Sequence, residues 1–224
     1  MKWEQRKRRS TSFFYEKNQG IAHQDERQDY GGRVNANFKL FDDWLEVRPN
    51  VDYRQAMRNN HYPNFQQALR NNPTRSPYDP ESETGYNVWL NEQLDYNVVA
   101  DAMLSTYEGL DKWFKPEVTF KLNIKPVPGL SYQQVLGYEN RQWEHHFYNS
   151  RNHRDELEES RKGYAHLAFS KTENLTSEGY ATYIKEFKGG HNLNAVAGYS
   201  YFENNGESFN MSNYNFAVDG VKFW

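Results

Sequence analysis

The chain has 224 residues, 37% of them hydrophobic, enough for one or two domains around an ordinary core. Its formal net charge of −3, from 27 basic and 30 acidic residues, provides no field of one sign to attract nucleic acid or an anionic bilayer. The absence of Cys excludes disulfides, thiolate nucleophiles and Cys-ligated zinc together.

The start, MKWEQRKRRSTSFFYEK, is basic but runs into no apolar stretch of the roughly 7–15 residues that an export signal needs. No export signal is therefore expected, and Arg6 to Arg9 reads as a solvated strand end. No run of about 18 apolar residues could cross a bilayer as a helix. The 17 Tyr, 14 Phe and 6 Trp against 4 Met favour β structure over helical packing.

Val34, Ala36, Phe38 and Leu40 alternate with Arg33, Asn35, Asn37 and Lys39, and Leu45, Val47, Pro49, Val51 and Tyr53 alternate with Glu46, Arg48, Asn50 and Asp52. A tight connection at Asp42-Asp43 predicts an antiparallel hairpin in which Leu40 faces Leu45, Phe38 faces Val47 and Val34 faces Val51. The same register puts Lys39 opposite Glu46 and Arg33 opposite Asp52, so one alignment satisfies both faces. Phe41 and Trp44 fall on the polar parity. Residues 57 to 88 follow as a long polar connection, and the outer loop from Met57 to Trp89 carries Tyr62, Phe65, Tyr78, Tyr86 and Trp89, the aromatic mix that stacks on sugars or grips peptides.

A second hairpin is predicted from the alternation of Phe114, Pro116, Val118, Phe120, Leu122 and Ile124, a turn at KPVPG, and a return through Leu130, Tyr132, Leu136 and Tyr138. Residues 144 to 162 form another polar loop. The segment GYAHLAFS, within 161 to 170, reads as an excursion of that loop. A third hairpin turns on Gly189-Gly190 in a two-residue loop.

Short turns on one side and long loops on the other match a transmembrane barrel, and Arg33–Phe41 is close to the ~9–11 residues that a tilted spanning strand needs. The expected fold is all-β: antiparallel hairpins forming part of a transmembrane β-barrel, with the apolar parity toward lipid. About eight strands of a larger barrel are expected, because an eight-stranded barrel is just filled by side chains while these strands turn several Arg and Lys to one side. Periodicity alone equally admits a soluble β-sandwich.

Four stretches resemble one family. NQGIAHQDERQDYGGRVNANFKLFDDWLEVRPNVDY, FQQALRNNPTRSPYD, PVPGLSYQQVLGYE and YIKEFKGGHNLNAVAGYSY are similar, in this order, to segments of the SusC/RagA-type TonB-linked outer-membrane proteins. The resemblance implies that residues 1–224 are an internal piece of a TonB-dependent receptor barrel, without plug domain or signal peptide. For the parent it further implies an outer-membrane location, contact with membrane lipid, import of oligosaccharides or peptides, and partnership with a SusD-like surface lipoprotein and with TonB. The alternatives are a soluble β-sandwich binding module or a porin-like barrel without TonB coupling.

No enzyme is expected. His145, His146 and His153 with Asp155 and Glu156 lack the helical two-histidine spacing of a zinc hydrolase and read as a polar loop. Asp42-Asp43 and the acidic run Glu156, Glu158 and Glu159 read as solvated carboxylates and not as a glycosidase pair. Phosphate-binding loops and nucleophile elbows are absent, and no cofactor is implied. The patterns Asn174-Leu175-Thr176 and Asn210-Met211-Ser212 match the glycosylation acceptor only at chance level.

Overall fold

The computed structural model describes residues 7–220 apart from 23, 61–62 and 91–94. Among these residues seven strands, β1 (Lys7–Gln19), β2 (Asp25–Leu40), β3 (Leu45–Asn60), β4 (Ser105–Asn123), β5 (Leu130–Asn149), β6 (Tyr164–Phe187) and β7 (His191–Tyr214), form one antiparallel sheet in sequence order. Three short helices, α1 (Phe65–Arg70), α2 (Val98–Leu104) and α3 (Arg154–Glu158), lie in the connections.

The first hairpin has the register that its two faces demand. Leu40 pairs with Leu45, Phe38 with Val47, Val34 with Val51, Lys39 with Glu46 and Arg33 with Asp52. Arg33 Nε donates to Asp52 at 2.7 Å across that pair. The turn spans Phe41 to Trp44, with Phe41, Asp42 and Asp43 all left-handed at φ 56°, 53° and 65°. Phe41 and Trp44 therefore sit in the connection and belong to neither face. Lys125 lies over the Trp44 ring at 5.9 Å and the Asn123 amide donates to Asp43 O at 2.8 Å, so this turn is braced by the neighbouring β4–β5 turn.

That second turn, residues 124–129, is closed by Ile124 N donating to Leu130 O and Leu130 N donating to Val127 O. Gly129 is obligatory here: its φ is +89°, and a Cβ would stand 1.8 Å from the carbonyl oxygen of Ile184. The third turn uses Lys188, Gly189 and Gly190, a three-residue connection where two were expected, with both glycines at positive φ. All three turns lie at one end of the sheet, and the long connections lie at the other.

Three expectations about those long connections are corrected. The strands run further than their apolar alternation suggests: β3 continues to Asn60 and β5 to Asn149, so His145 and His146 are strand residues. The segment GYAHLAFS is not an excursion but the start of β6, which continues without a break to Phe187. Among the described residues the sheet has seven strands, where about eight were expected.

The barrel is corrected too. β1 and β7 stand at opposite ends of the strand order and each pairs on one side only, so the sheet is open among the described residues. An unpaired strand edge leaves a row of backbone N–H and C=O groups that hydrocarbon cannot satisfy, which is why open sheets do not span bilayers. The expected barrel, with its outer-membrane wall, lipid contact and transport role, is corrected accordingly: the described residues form an open sheet and not a closed barrel. No described helix is long and apolar enough to cross a membrane.

The apolar parity is also only half a stripe. Past Tyr53 the same face carries Gln55, Met57 and Asn59 on β3, Glu108 and Lys112 on β4, and Gln142 and Glu144 on β5. The opposite face carries most of the charge. Asp29, 2% exposed, is clamped by Arg27 at 2.5 Å and Arg54 at 2.6 Å, and these guanidiniums, Arg27 first, hold its carboxyl down at about 2. Arg48, helped by Asn37, does the same for Glu46, also to about 2. Trp113 lies between Arg141 at 4.5 Å and Arg54 at 5.9 Å.

The buried residues gather at the loop end, where Ala56, Trp89, Val98, Ala100, Ala102, Tyr148 and Ala165 are sheltered by the connections. These connections form a cap held by polar groups. Asn97, 4% exposed, caps α2 through its side-chain oxygen and donates its amide to Pro77 O and Asn87 O, tying the loop to the helix. His153 caps α3 and meets Asp101 of α2 at 2.9 Å. Glu156, fully buried, accepts both arms of Arg161 at 2.8 and 2.9 Å and receives Asn149, which in turn accepts from Ser105.

Candidate functional site

Where β4 and β5 reach the cap, the half-polar face of the sheet opens into two adjoining cavities. One, of ≈ 370 Å³, lies among Met103, Leu104, Thr106, Glu108, His146 and Tyr148. The other, of ≈ 250 Å³, lies among Met57, Leu110, Glu26, Glu144, Glu108 and His146. Glu108 and His146 line both. Antiparallel pairing sets Glu108 directly opposite His146, so the shared wall is one cross-strand pair on one face.

The far wall of the larger cavity is the segment after β7. Phe216 N donates to Lys162 O, and Asp219 accepts from Ser150 Oγ at 2.6 Å, from Tyr148 Oη at 2.5 Å and from the Arg151 amide at 3.1 Å. Burial, followed by the Asp219 carboxylate, pushes the Tyr148 phenol up to about 12, so it stays a hydrogen-bond donor at neutral pH. Across the smaller cavity, Lys17 holds Glu26 at 3.0 Å and His146 approaches Glu144 at 3.7 Å.

The loop aromatics expected to contact ligand are not gathered in one place. Phe65 opens α1 and is 54% exposed, and Tyr78 is 59% exposed. Tyr78 and Tyr86 form an isolated bridge with ring centroids 6.0 Å apart, and Tyr86 lines a separate cavity of ≈ 250 Å³ with Asp79, Leu90 and Leu157. Trp89 is 4% exposed and stacks under Arg75 at 4.1 Å, which makes it part of the cap's interior. Tyr62 lies outside the described residues.

The histidines diverge in the same way. His145 and His146 are neighbours on a strand and so point to opposite faces, while His153 is committed to α3 and Asp101. On the charged face His145 packs 4.0 Å from the Tyr107 ring, beside Trp143 and His166. Burial, followed by the nearby His166, lowers its pKa and favours the neutral ring. Among the described residues no group of three or more His, Cys, Asp or Glu is placed to hold a metal ion.

Sequence reasoning did not single out Glu108, Met103 and Tyr148 as site residues, and it read His146 as part of a polar loop. The signal was present, since Thr106, Glu108, Leu110 and Lys112 continue the parity of Phe114, but polar residues on that parity hide a strand when apolar alternation is the criterion.

No family profile matches the chain, and no curated protein matches it. Among solved structures it resembles the RagAB peptide transporter, with a TM-score of 0.74 and 17% identity over 97% of this chain and 25% of that one. It also resembles the RagAB peptide importer in the closed-closed state, with a TM-score of 0.71 and 16% identity over 98% of this chain and 25% of that one. The open-open state of that importer gives a TM-score of 0.71 and 16% identity over 98% of this chain and 24% of that one. The chain thus spans about a quarter of the chains it matches. The expected membership in the SusC/RagA-type receptors, as a barrel fragment, is corrected on two grounds: the sheet is open, and identity this low carries the likeness no further than the fold. What the chain shares with these structures is an antiparallel sheet.

Proposed function

We propose that this chain is a non-catalytic binding module that takes a peptide in the paired cavities at the junction of β4, β5 and the cap. The observation that carries the reading is the pair of cavities of ≈ 370 and ≈ 250 Å³ sharing Glu108 and His146, with a mixed apolar and polar lining of the kind that holds ligands. The peptide class is supported by the description of the similarly folded structures as a peptide transporter and a peptide importer, and a non-enzymatic role agrees with a likeness to transport complexes. The binding-module alternative fits better than the barrel, although its strands form one sheet and not two facing ones. TonB coupling goes with the transport reading that the open sheet removes.

Phe65, Tyr78 and Tyr86 are proposed as contacts at the outer rim, with Trp89 supporting the cap from within. A SusD-like protein is kept as a proposed partner, on the strength of the sequence resemblance and the RagAB structures. Fluorescence anisotropy with labelled short peptides tests the main reading. Saturable binding is expected, and a cavity-filling Thr106→Trp variant should weaken it by roughly tenfold or more, the cost of displacing a well-packed ligand group. No saturable binding, or equal binding by the filled variant, overturns it.

A further inference from the structure

We infer that the paired cavities select a cationic peptide side chain, a Lys or Arg whose stem lies along the apolar walls and whose head meets Glu108. This rests on the peptide-binding reading above and names what that site recognises. Two independent observations carry it. The first is the shape of the lining: Met57 and Leu110 on one side of Glu108 and Met103 and Leu104 on the other make apolar walls around a carboxylate.

The second is the bonding of that carboxylate. Glu108 is half-buried, and among the described residues it has no hydrogen bond or ion pair. The basic groups nearby are already paired: Lys17 is on Glu26, and Arg58, which also lines the smaller cavity, is on Asp111. Glu144 adds further negative charge to the smaller cavity, where Glu26 is already paired with Lys17. An apolar ligand would strip water from Glu108 and give it nothing in return, and an acidic ligand would add repulsion. A long apolar stem ending in a cation meets both demands, since Lys and Arg bury their methylenes and keep the charged head on a partner.

The experiment uses the full chain and three labelled peptides identical except for one central residue: Lys, norleucine or Glu. The Lys peptide should bind on the order of tenfold more tightly than the norleucine one, as expected for a charge-assisted hydrogen bond, and the Glu peptide most weakly. Glu108→Gln, nearly isosteric, should shrink the Lys-to-norleucine ratio to about twofold or less, while circular dichroism checks that the variant folds. Equal, cavity-dependent binding of the Lys and norleucine peptides, or a ratio indifferent to Glu108→Gln, overturns the cationic inference and leaves the peptide reading standing. Binding of none of the three overturns the peptide reading and this one with it.

Discussion

The two ends of the sheet are held by different physics. At the turn end, connections of a few residues are fixed by backbone conformation: Gly129, Gly189 and Gly190 at positive φ, and the left-handed run Phe41, Asp42 and Asp43. At the loop end, the β3–β4 and β5–β6 connections are too long for the backbone to fix, and side chains do it: buried Asn97, His153 and Glu156, with half-buried Arg161. Local geometry decides one end, and long-range hydrogen bonding decides the other. The difference teaches where each end is vulnerable, to a Cβ in one place and to a missing carboxylate in the other.

The loop end is most easily broken at Glu156. Replacing it with Ala strands Arg161 and removes a partner of Asn149, and should cost about 3 kcal/mol, the scale of losing one member of a buried ion pair. Urea unfolding should read the loss, and hydrogen exchange should accelerate first in α3 and the start of β6. Uniform acceleration across both ends would mean that the cap is not held separately. Gly129→Ala is the mirror experiment. With φ at +89° and the Ile184 oxygen 1.8 Å from the new Cβ, about 2 kcal/mol should be lost, with exchange at Ile184 rising and the cap unchanged. Stability equal to wild type would show that the β4–β5 turn can shift freely. The smallest effect sharpens the same contrast in the other direction: Asp42→Gly removes left-handed strain at φ 53° and should stabilise by about 0.5–1 kcal/mol in thermal melts, with peptide binding untouched. A loss of stability would mean that the Asp42 side chain, and not the backbone, sets that turn.

The same division explains what the amino-acid sequence discloses. The register from Leu40↔Leu45 to Val34↔Val51 was readable because period-2 alternation and cross-strand charge pairs are local and redundant. So was the third turn, because two adjacent glycines have few other uses between strands. The cap was not readable. Glu156 sits in RDELEES, which reads as a solvated acidic run, and nothing local says that Arg161 and Asn149 will close over one of its carboxylates. The binding cavities failed for a related reason: Glu108 and His146 lie on the parity that carries Phe120 and Val118 lower down, so a strand that changes character halfway was cut at its apolar part. The barrel expectation was corrected at a larger scale, since alternation and turn length describe each hairpin but not how the whole sheet is arranged.

Among the described residues the strands also lengthen across the sheet, from 13 residues in β1 to 24 in β7. Under a mechanical load the two flanks would therefore respond unequally. Peeling β1 breaks a ladder little more than half as long as the one that fastens β7 to β6, so the N-terminal flank is where the fabric would fray and the C-terminal flank where it would resist. Phe13 and Phe14 of β1, whose rings fill the space left by Gly32 and Gly31, act there as two rivets on the shorter seam.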